Sequence, residues 1–406
     1  MPDRTVFLFP GLGAYAPGML RQARQDLSLI TETFEEIDSV SGVPATELLF
    51  TGPERSVTEL SGEALQLAIF GASVAVHRLL VAAGWQPELV VGHSFGEIAA
   101  LVCADAFSLA DGVRIVCART AALRNTEGEG QMVALGVRES VARHLIGVLD
   151  RHDVVVACVN APRQTVVSGP AAAIDQIAHE AKALDIFCTR LQVPYASHHP
   201  SMRSAAEEFV RLMAPIPQRP LRLPVHSPVH GCRYTDADDL KLAIADCLTA
   251  PVRFADTIRD LHAFGFTRFV ECGALHTLTR CVELTVPGVE VSAPLHDPAQ
   301  ETARLRAVSG GTTASSTEPA PRETPPARDE TLARLRAMYA AALEYPPEVF
   351  TEDAQLEAEL GIDSLKQSSL LTKVAAEFGV PAQPGGLRVW EFPTLGRIAD
   401  YVGNAR

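Results

Sequence analysis

The hexapeptide Gly92-His93-Ser94-Phe95-Gly96-Glu97 constrains the fold more than any other stretch of the chain. It follows a short apolar run, Leu89-Val90-Val91, of the kind that forms a buried parallel strand. It precedes Ile98-Ala99-Ala100-Leu101-Val102, whose Ala and Leu content suits a helix. G-x-S-x-G between a strand and a helix is the pattern of a nucleophile elbow. The glycines permit a sharp turn without a Cβ clash, and the serine arrives at a helix N-terminus. There, free N–H groups and the helix dipole stabilise a developing oxyanion. The plainer alternative is a glycine-rich turn that holds a serine incidentally.

At 406 residues and 47% hydrophobic content, the chain has the length for more than one domain and the material for a large core. A net charge of -14 argues against nucleic acid, which requires clustered Lys and Arg. No apolar run approaches the roughly 20 residues of a membrane span, and no charged leader with an apolar h-region is seen, so a cytoplasmic protein is expected. The eight cysteines, Cys103, Cys117, Cys158, Cys188, Cys232, Cys247, Cys272 and Cys281, are scattered without a C-x-x-C. They read as buried reduced thiols, with no disulfide framework and no metal site expected.

Along the chain, Thr5-Val6-Phe7-Leu8-Phe9 reads as a strand ended by Pro10-Gly11-Leu12-Gly13. A glycine turn at the carboxyl end of a first strand is where an open α/β sheet places ligands. Residues 61 to 83 and 109 to 124 read as helices, the first carrying Gln66 and the second Arg114, Arg119 and Arg124. From Gly130 the texture changes. Strands at 132–137, 154–159, 165–169 and 188–193, with helices at 139–150 and 171–184, give β-α-β-β-α-β, the ferredoxin-like pattern. An inserted subdomain over about residues 130–196 is therefore expected. A helix at 201–214 and a strand at 269–271 return the chain to the main sheet.

Val193-Pro194-Tyr195-Ala196-Ser197-His198 lies where that insert rejoins the body. A serine nucleophile needs a base, and histidine is the usual one near neutral pH. His198 is suited to that role, though taken by itself it reads more simply as a hydrogen-bonded loop histidine. Residues 308–330 are Ser, Thr, Gly, Pro, Glu and Arg with almost no apolar side chains, a flexible linker by composition. Residues 331–406 have a helical apolar pattern: Leu332, Leu335 and Tyr339; then Leu365, Leu370, Val374 and Phe378; then Leu395, Ile398 and Val402. This is a small bundle, with Asp363-Ser364 placed to cap its second helix.

These residues carry a family resemblance. Residues 1–307 resemble the malonyl-CoA:acyl-carrier-protein acyltransferases of polyketide and fatty acid synthesis. The resemblance rests on Phe9-Pro10-Gly11-Leu12-Gly13, Gln66, Gly92-His93-Ser94-Phe95-Gly96-Glu97, Arg119, Asn160, Tyr195-Ala196-Ser197-His198 and Pro251-Val252-Arg253-Phe254. Residues 331–406 resemble an acyl carrier protein through Leu360-Gly361-Ile362-Asp363-Ser364-Leu365. The resemblance implies an α/β-hydrolase-like body, an inserted ferredoxin-like subdomain and a helical carrier bundle. It implies Ser94 as acylated nucleophile and His198 as base, oriented by a main-chain carbonyl around Cys247, just before Pro251. It implies an oxyanion hole from the backbone N–H groups of Leu12 and Phe95, and Arg119 on the acyl carboxylate. Gln66, His93, Tyr195 and Ser197 would line the pocket, and Ser364 would carry covalent 4′-phosphopantetheine. The substrate would be a CoA thioester, the acceptor this or another carrier domain, and separate ketosynthase-bearing proteins the users. Two residues depart from the family, which usually has Gln at Leu12 and a smaller aliphatic residue or Gln at Phe95. Tyr195-Ala196-Ser197-His198 is similar to the pattern that accompanies methylmalonyl selection. Acyl shuttling between carriers, or editing hydrolysis of their thioesters, remains the alternative activity.

Overall fold

The computed structural model describes residues 4–126, 128, 130–295, 305, 328–343, 350–352, 356, 370–371, 373–375, 377–378, 392 and 394–404. The chain divides into two units, Met1–Thr313 and Ala314–Arg406. Strands in the first unit are β1 (Arg4–Phe9), β2 (Leu89–Gly92), β3 (Gln131–Leu135), β4 (Val155–Ala161), β5 (Gln164–Gly169), β6 (Cys188–Arg190), β7 (Val225–Ser227), β8 (Cys232–Arg233), β9 (Phe266–Glu271) and β10 (Glu290–Ser292). Its principal helices are α1 (Ser28–Ser41), α2 (Gly62–Ala82), α3 (Gly96–Cys103), α4 (Leu109–Leu123), α5 (Glu139–Val148), α6 (Ala171–Ala183), α7 (Arg203–Met213), α8 (Leu240–Asp246), α9 (Phe254–Ala263) and α10 (Thr277–Thr285).

The main sheet has the order β10-β9-β1-β2-β7-β8. It is parallel apart from β8, which pairs antiparallel with β7. Phe7 and Phe9 face one side, with Phe34, Phe70 and Ile98. Val6 and Leu8 face the other, with Phe254, Leu261 and Phe269. A strand buried on both faces explains why β1 and β2 read as continuous apolar runs rather than alternating ones. The loops that follow β1 and β2 lie side by side at the carboxyl edge of the sheet, since Phe9 pairs with Gly92.

Helix α2 starts where Ser61 Oγ accepts the Ala64 N–H at 3.2 Å, and α4 where Ser108 Oγ accepts the Asp111 N–H at 3.1 Å. Helix α2 is long and apolar enough to cross a membrane by length and average composition, although Glu63, Gln66, His77 and Arg78 interrupt it, so no unbroken apolar run of that length exists in it. Most of it is buried in the core, so it reads as a helix enclosed by its own domain.

The second sheet, β4-β5-β3-β6, is antiparallel and closes the expected β-α-β-β-α-β unit. Strand β6 stops at Arg190, three residues short of the predicted end, and α7 begins at Arg203 after a 3-10 turn over Pro200–Met202. The subdomain is not a separate globule. Met132, Cys158 and Val166 share one core with Val252, Phe254 and Phe266 of the body. Val252 N–H donates to Ala157 O, and Val159 N–H to Val252 O, both at 2.9 Å.

Cys158, Cys247, Cys272 and Cys281 are buried free thiols, as expected, while Cys103, Cys117 and Cys188 are half-buried. Cys232 is exposed, because β8 is the edge strand of the main sheet.

In the second unit, helices α11 (Arg328–Leu343) and α12 (Leu395–Asn404) pack with their own core, which includes Leu335, Tyr339, Phe350, Leu371, Phe378 and Ile398. Arg328 joins this unit's segments by pairing with both Glu352 and Asp400. Ser364 and the Leu360–Leu365 motif lie outside the described residues, as does most of the predicted linker.

One buried acid gives the fold a pH dependence. Glu271, at the end of β9, accepts the Leu278 and Thr279 N–H groups at 3.2 and 2.9 Å and so caps α10. Burial nevertheless pushes its carboxyl up to about 7. A carboxyl raised in the fold keeps its proton after the unfolded chain has lost its own. Its contribution is complete below about pH 4.5 and is lost as pH rises through 7, on the order of 3 kcal/mol in total. Glu271→Gln removes this titration. The melting temperature of the variant relative to wild type should therefore rise steadily from pH 5 to pH 8; a difference independent of pH would refute the assignment.

Candidate active site

The elbow is held by backbone contacts too close for any side chain. A Cβ on Gly96 would lie 2.1 Å from the Phe9 carbonyl oxygen, and one on Gly92 would lie 2.2 Å from the Glu97 Cα. Between them Ser94 has φ +54, the left-handed conformation that an L-residue adopts only under surrounding constraint. His93 N–H donates to Phe9 O at 2.8 Å, locking the turn to the end of β1.

His198 meets this serine from the segment that follows β6. Its Nε2 is 2.9 Å from Ser94 Oγ, and its Nδ1 is 3.1 Å from the Ala250 carbonyl. A carbonyl can only accept, so Nδ1 carries the proton and Nε2 is the acceptor for the serine hydroxyl. The orienting carbonyl is thus Ala250, directly before Pro251 and three residues after Cys247, whose backbone makes a lesser contact. After α8 ends, the Thr249 and Ala250 N–H groups both return to Asp246 O, and this turn aims the Ala250 carbonyl at the ring. His198 has φ +60 and is almost fully buried. Burial, with His93 nearby, depresses it to about 4, so the ring is unprotonated at neutral pH and Nε2 is open to receive a proton.

Arg119 approaches the elbow from α4, its side chain beside Phe95 and Tyr195. Its Nη1 donates to Gln66 Oε1 at 2.7 Å and to the Tyr195 hydroxyl at 3.3 Å. Its guanidinium carbon lies 5.3 Å from the Phe95 ring centre and 5.9 Å from that of Tyr195. The residue is 4% exposed, and among the described residues its side-chain hydrogen bonds go to this amide and this phenol and to no carboxylate. Ser197 is buried beside His198, its N–H on Tyr195 O at 3.0 Å.

The backbone N–H groups of Leu12 and Phe95 donate to no acceptor among the described residues. The loop that carries Leu12 passes close to the elbow: a Cβ on Gly11 would lie 3.7 Å from Ser94 Cβ. His93 does not join the Arg119 group, as the sequence suggested. Its Nε2–H donates to Asn160 Oδ1 at 2.8 Å and its ring meets Phe254 edge-on, so it ties the elbow to β4.

Two neighbours escaped the sequence reading. Cys247 Sγ lies 3.9 Å from Ser94 Oγ, a contact across 153 residues that no local pattern announces. The Tyr234 hydroxyl donates to Glu97, whose carboxyl burial raises to about 7. An acid inside the apolar run after the elbow was the available sign that a buried partner was needed.

Comparison with known proteins agrees with this geometry. The family described as "Acyl transferase domain" matches residues 6–310, and "Phosphopantetheine attachment site" matches residues 333–402. The chain is 32% identical over 306 residues to the phenolphthiocerol synthesis polyketide synthase type I Pks15/1 of Mycobacterium marinum, covering 71% of this chain and 14% of that one. It is 34% identical over 302 residues to erythronolide synthase EryA3 of Saccharopolyspora erythraea, covering 73% and 9%. It therefore spans only a small part of these curated relatives. Among solved structures it is similar to the malonyl CoA-acyl carrier protein transacylase of Coxiella burnetii, with TM-score 0.69, 28% identity, and 76% and 99% of the two chains covered. It is equally similar to the acyltransferase domain of the second module of the salinomycin polyketide synthase, with TM-score 0.69, 30% identity and 79% of each chain covered. Sequence and fold converge over the same residues, and the chain belongs to the acyl transferase domain family.

Proposed function

We propose that this chain moves a malonyl-type acyl group from coenzyme A to Ser94 and on to a carrier-protein thiol, supplying building blocks for polyketide synthesis. The observation that carries this reading is Arg119. A buried guanidinium without an anion is costly, and among the described residues only one of its nitrogens has acceptors, both neutral. Its other donors are free to grip a carboxylate in two parallel hydrogen bonds. The group that supplies this anion would be the free carboxylate of the substrate.

The proposed steps follow from the geometry. Ser94 Oγ attacks the thioester carbonyl as His198 Nε2 takes its proton. The carbonyl oxygen gains charge against the Leu12 and Phe95 N–H groups. The C–S bond breaks, and coenzyme A leaves as thiol with the proton from His198. A second thiol then attacks the Ser94 ester, giving its proton to His198, and the serine oxygen departs as the hydroxyl. The phosphopantetheine that the carrier family bears supplies such a thiol. Ser364 is its proposed attachment point, on the sequence motif alone. Similarity at Tyr195-Ala196-Ser197-His198 supports methylmalonyl as the unit, and separate ketosynthase-bearing proteins are the proposed users.

Intact-protein mass after mixing the phosphopantetheinylated chain with malonyl-, methylmalonyl-, ethylmalonyl- and acetyl-CoA tests this reading. A carboxylated acyl mass should appear, remain on Ser94 in Ser364→Ala, and vanish in Ser94→Ala. Arg119→Ala should slow acylation by carboxylated donors about a hundredfold or more, from the loss of two charge-assisted hydrogen bonds. Acylation from carrier thioesters alone, indifferent to Arg119, would replace the proposal with carrier-to-carrier shuttling or hydrolysis.

Phe95 should set the size of the unit, since its buried ring closes the space beside Arg119. Phe95→Val should raise the preference for ethylmalonyl over methylmalonyl about tenfold, the discrimination typical of one methylene; an unchanged ratio would remove Phe95 from the pocket. The low His198 pKa fixes the pH profile. The rate of Ser94 acylation should stay level down to about pH 5 and fall near pH 4. A midpoint near 6.5 would show that His198 is not the base.

A further inference from the structure

We infer that Cys247 is a second hydrogen-bond partner of the nucleophile, its S–H donating to Ser94 Oγ and supporting the charge that this oxygen carries in both half-reactions. The inference rests on the acyl-transfer reading above, and it concerns a residue that reading does not use.

The hydrogen-bond directions leave one arrangement. His198 Nδ1–H is spent on Ala250 O, so Nε2 accepts the only proton that Ser94 has to give. The serine oxygen keeps its lone pairs, and Cys247 Sγ lies 3.9 Å away, within reach of a weak sulfur donor. The thiol is buried just after α8, on the turn whose carbonyls orient His198. One short segment thus touches both members of the pair.

A second observation bears on the thiol. Burial, and after it the nearby Glu97, push the Cys247 thiol up to about 12. It therefore remains S–H and donates, and it does not compete with Ser94 as a nucleophile. No bond to sulfur forms at any stage. When Ser94 Oγ sheds its proton to His198, or departs from the acyl carbon in the second step, the S–H offers it a donor that needs no rearrangement.

The test reads Ser94 itself. Phenylmethanesulfonyl fluoride would sulfonylate Ser94 Oγ with loss of fluoride, a reaction that requires no acyl-CoA. Its rate, followed by intact mass, is compared in wild type, Cys247→Ala and Cys247→Ser, with Ser94→Ala as the unlabelled control. Methylmalonyl-CoA acylation is followed in parallel. Cys247→Ala should slow sulfonylation about three- to tenfold, the scale of one neutral hydrogen bond, and Cys247→Ser should restore it to within about twofold. Cys247→Val, similar in size and without a donor, replaces Ala if that variant melts early. A wild-type rate in the donor-free variants overturns the inference, and so does equal slowing in Ala and Ser, which would mark a packing role. Failure of acyl-CoA to label any variant, with the sulfonylation pattern intact, would count against the substrate reading and leave the Cys247 contact standing.

Discussion

The site depends on one close approach, that of the elbow to the end of the first strand. Phe9 O receives the His93 N–H at 2.8 Å, and the same oxygen lies where any Cβ on Gly96 would have to be. Because β1 and β2 are neighbours in register, this contact fixes the height at which Ser94 leaves the sheet. The left-handed backbone of Ser94 is then imposed by its flanks, and those flanks are rigid because both strands are buried on both faces. Everything else converges on a point that the sheet has already set.

Charge is arranged around that point with economy. Among the described residues Arg119 is a buried cation with no acidic partner, and its neighbours are an amide, a phenol and two aromatic faces. His198 and His93 are both held neutral by burial. Glu97 and Cys247 are driven the same way, towards their protonated forms. Burial thus disfavours negative charge beside the nucleophile, which leaves Arg119 as the strongest feature that an incoming anion would meet.

Much of this was legible in the sequence because the signals were local. The strand-elbow-helix pattern, the β-α-β-β-α-β order and the paired apolar runs are short-range regularities, and the structure shows them. The pairing of Ser94 with His198 came through family resemblance, since that spacing carries no geometric information, and the bond from Arg119 to Gln66 came from the structure alone. What escaped was set by tertiary contact alone: His93 turned to Asn160, and the Cys247 thiol at Ser94. The exposure of Cys232 escaped for a related reason, because an edge strand is recognisable only once the strand order is known.

The shared core between the small sheet and the body bears on how such enzymes can be recombined. Met132, Cys158 and Val166 bury against Val252, Phe254 and Phe266, and the Ala157–Val252 and Val159–Val252 hydrogen bonds extend one sheet into the loop before α9. A chimera cut at the two chain crossings near residues 130 and 196 would therefore split a hydrophobic core in half, even though the insert looks modular on paper. The natural cassette is discontinuous: it comprises the ferredoxin-like segment together with the stretch from Ala250 to Phe266. That second piece also brings the carbonyl that orients His198, so a graft respecting the core would carry part of the chemistry with it.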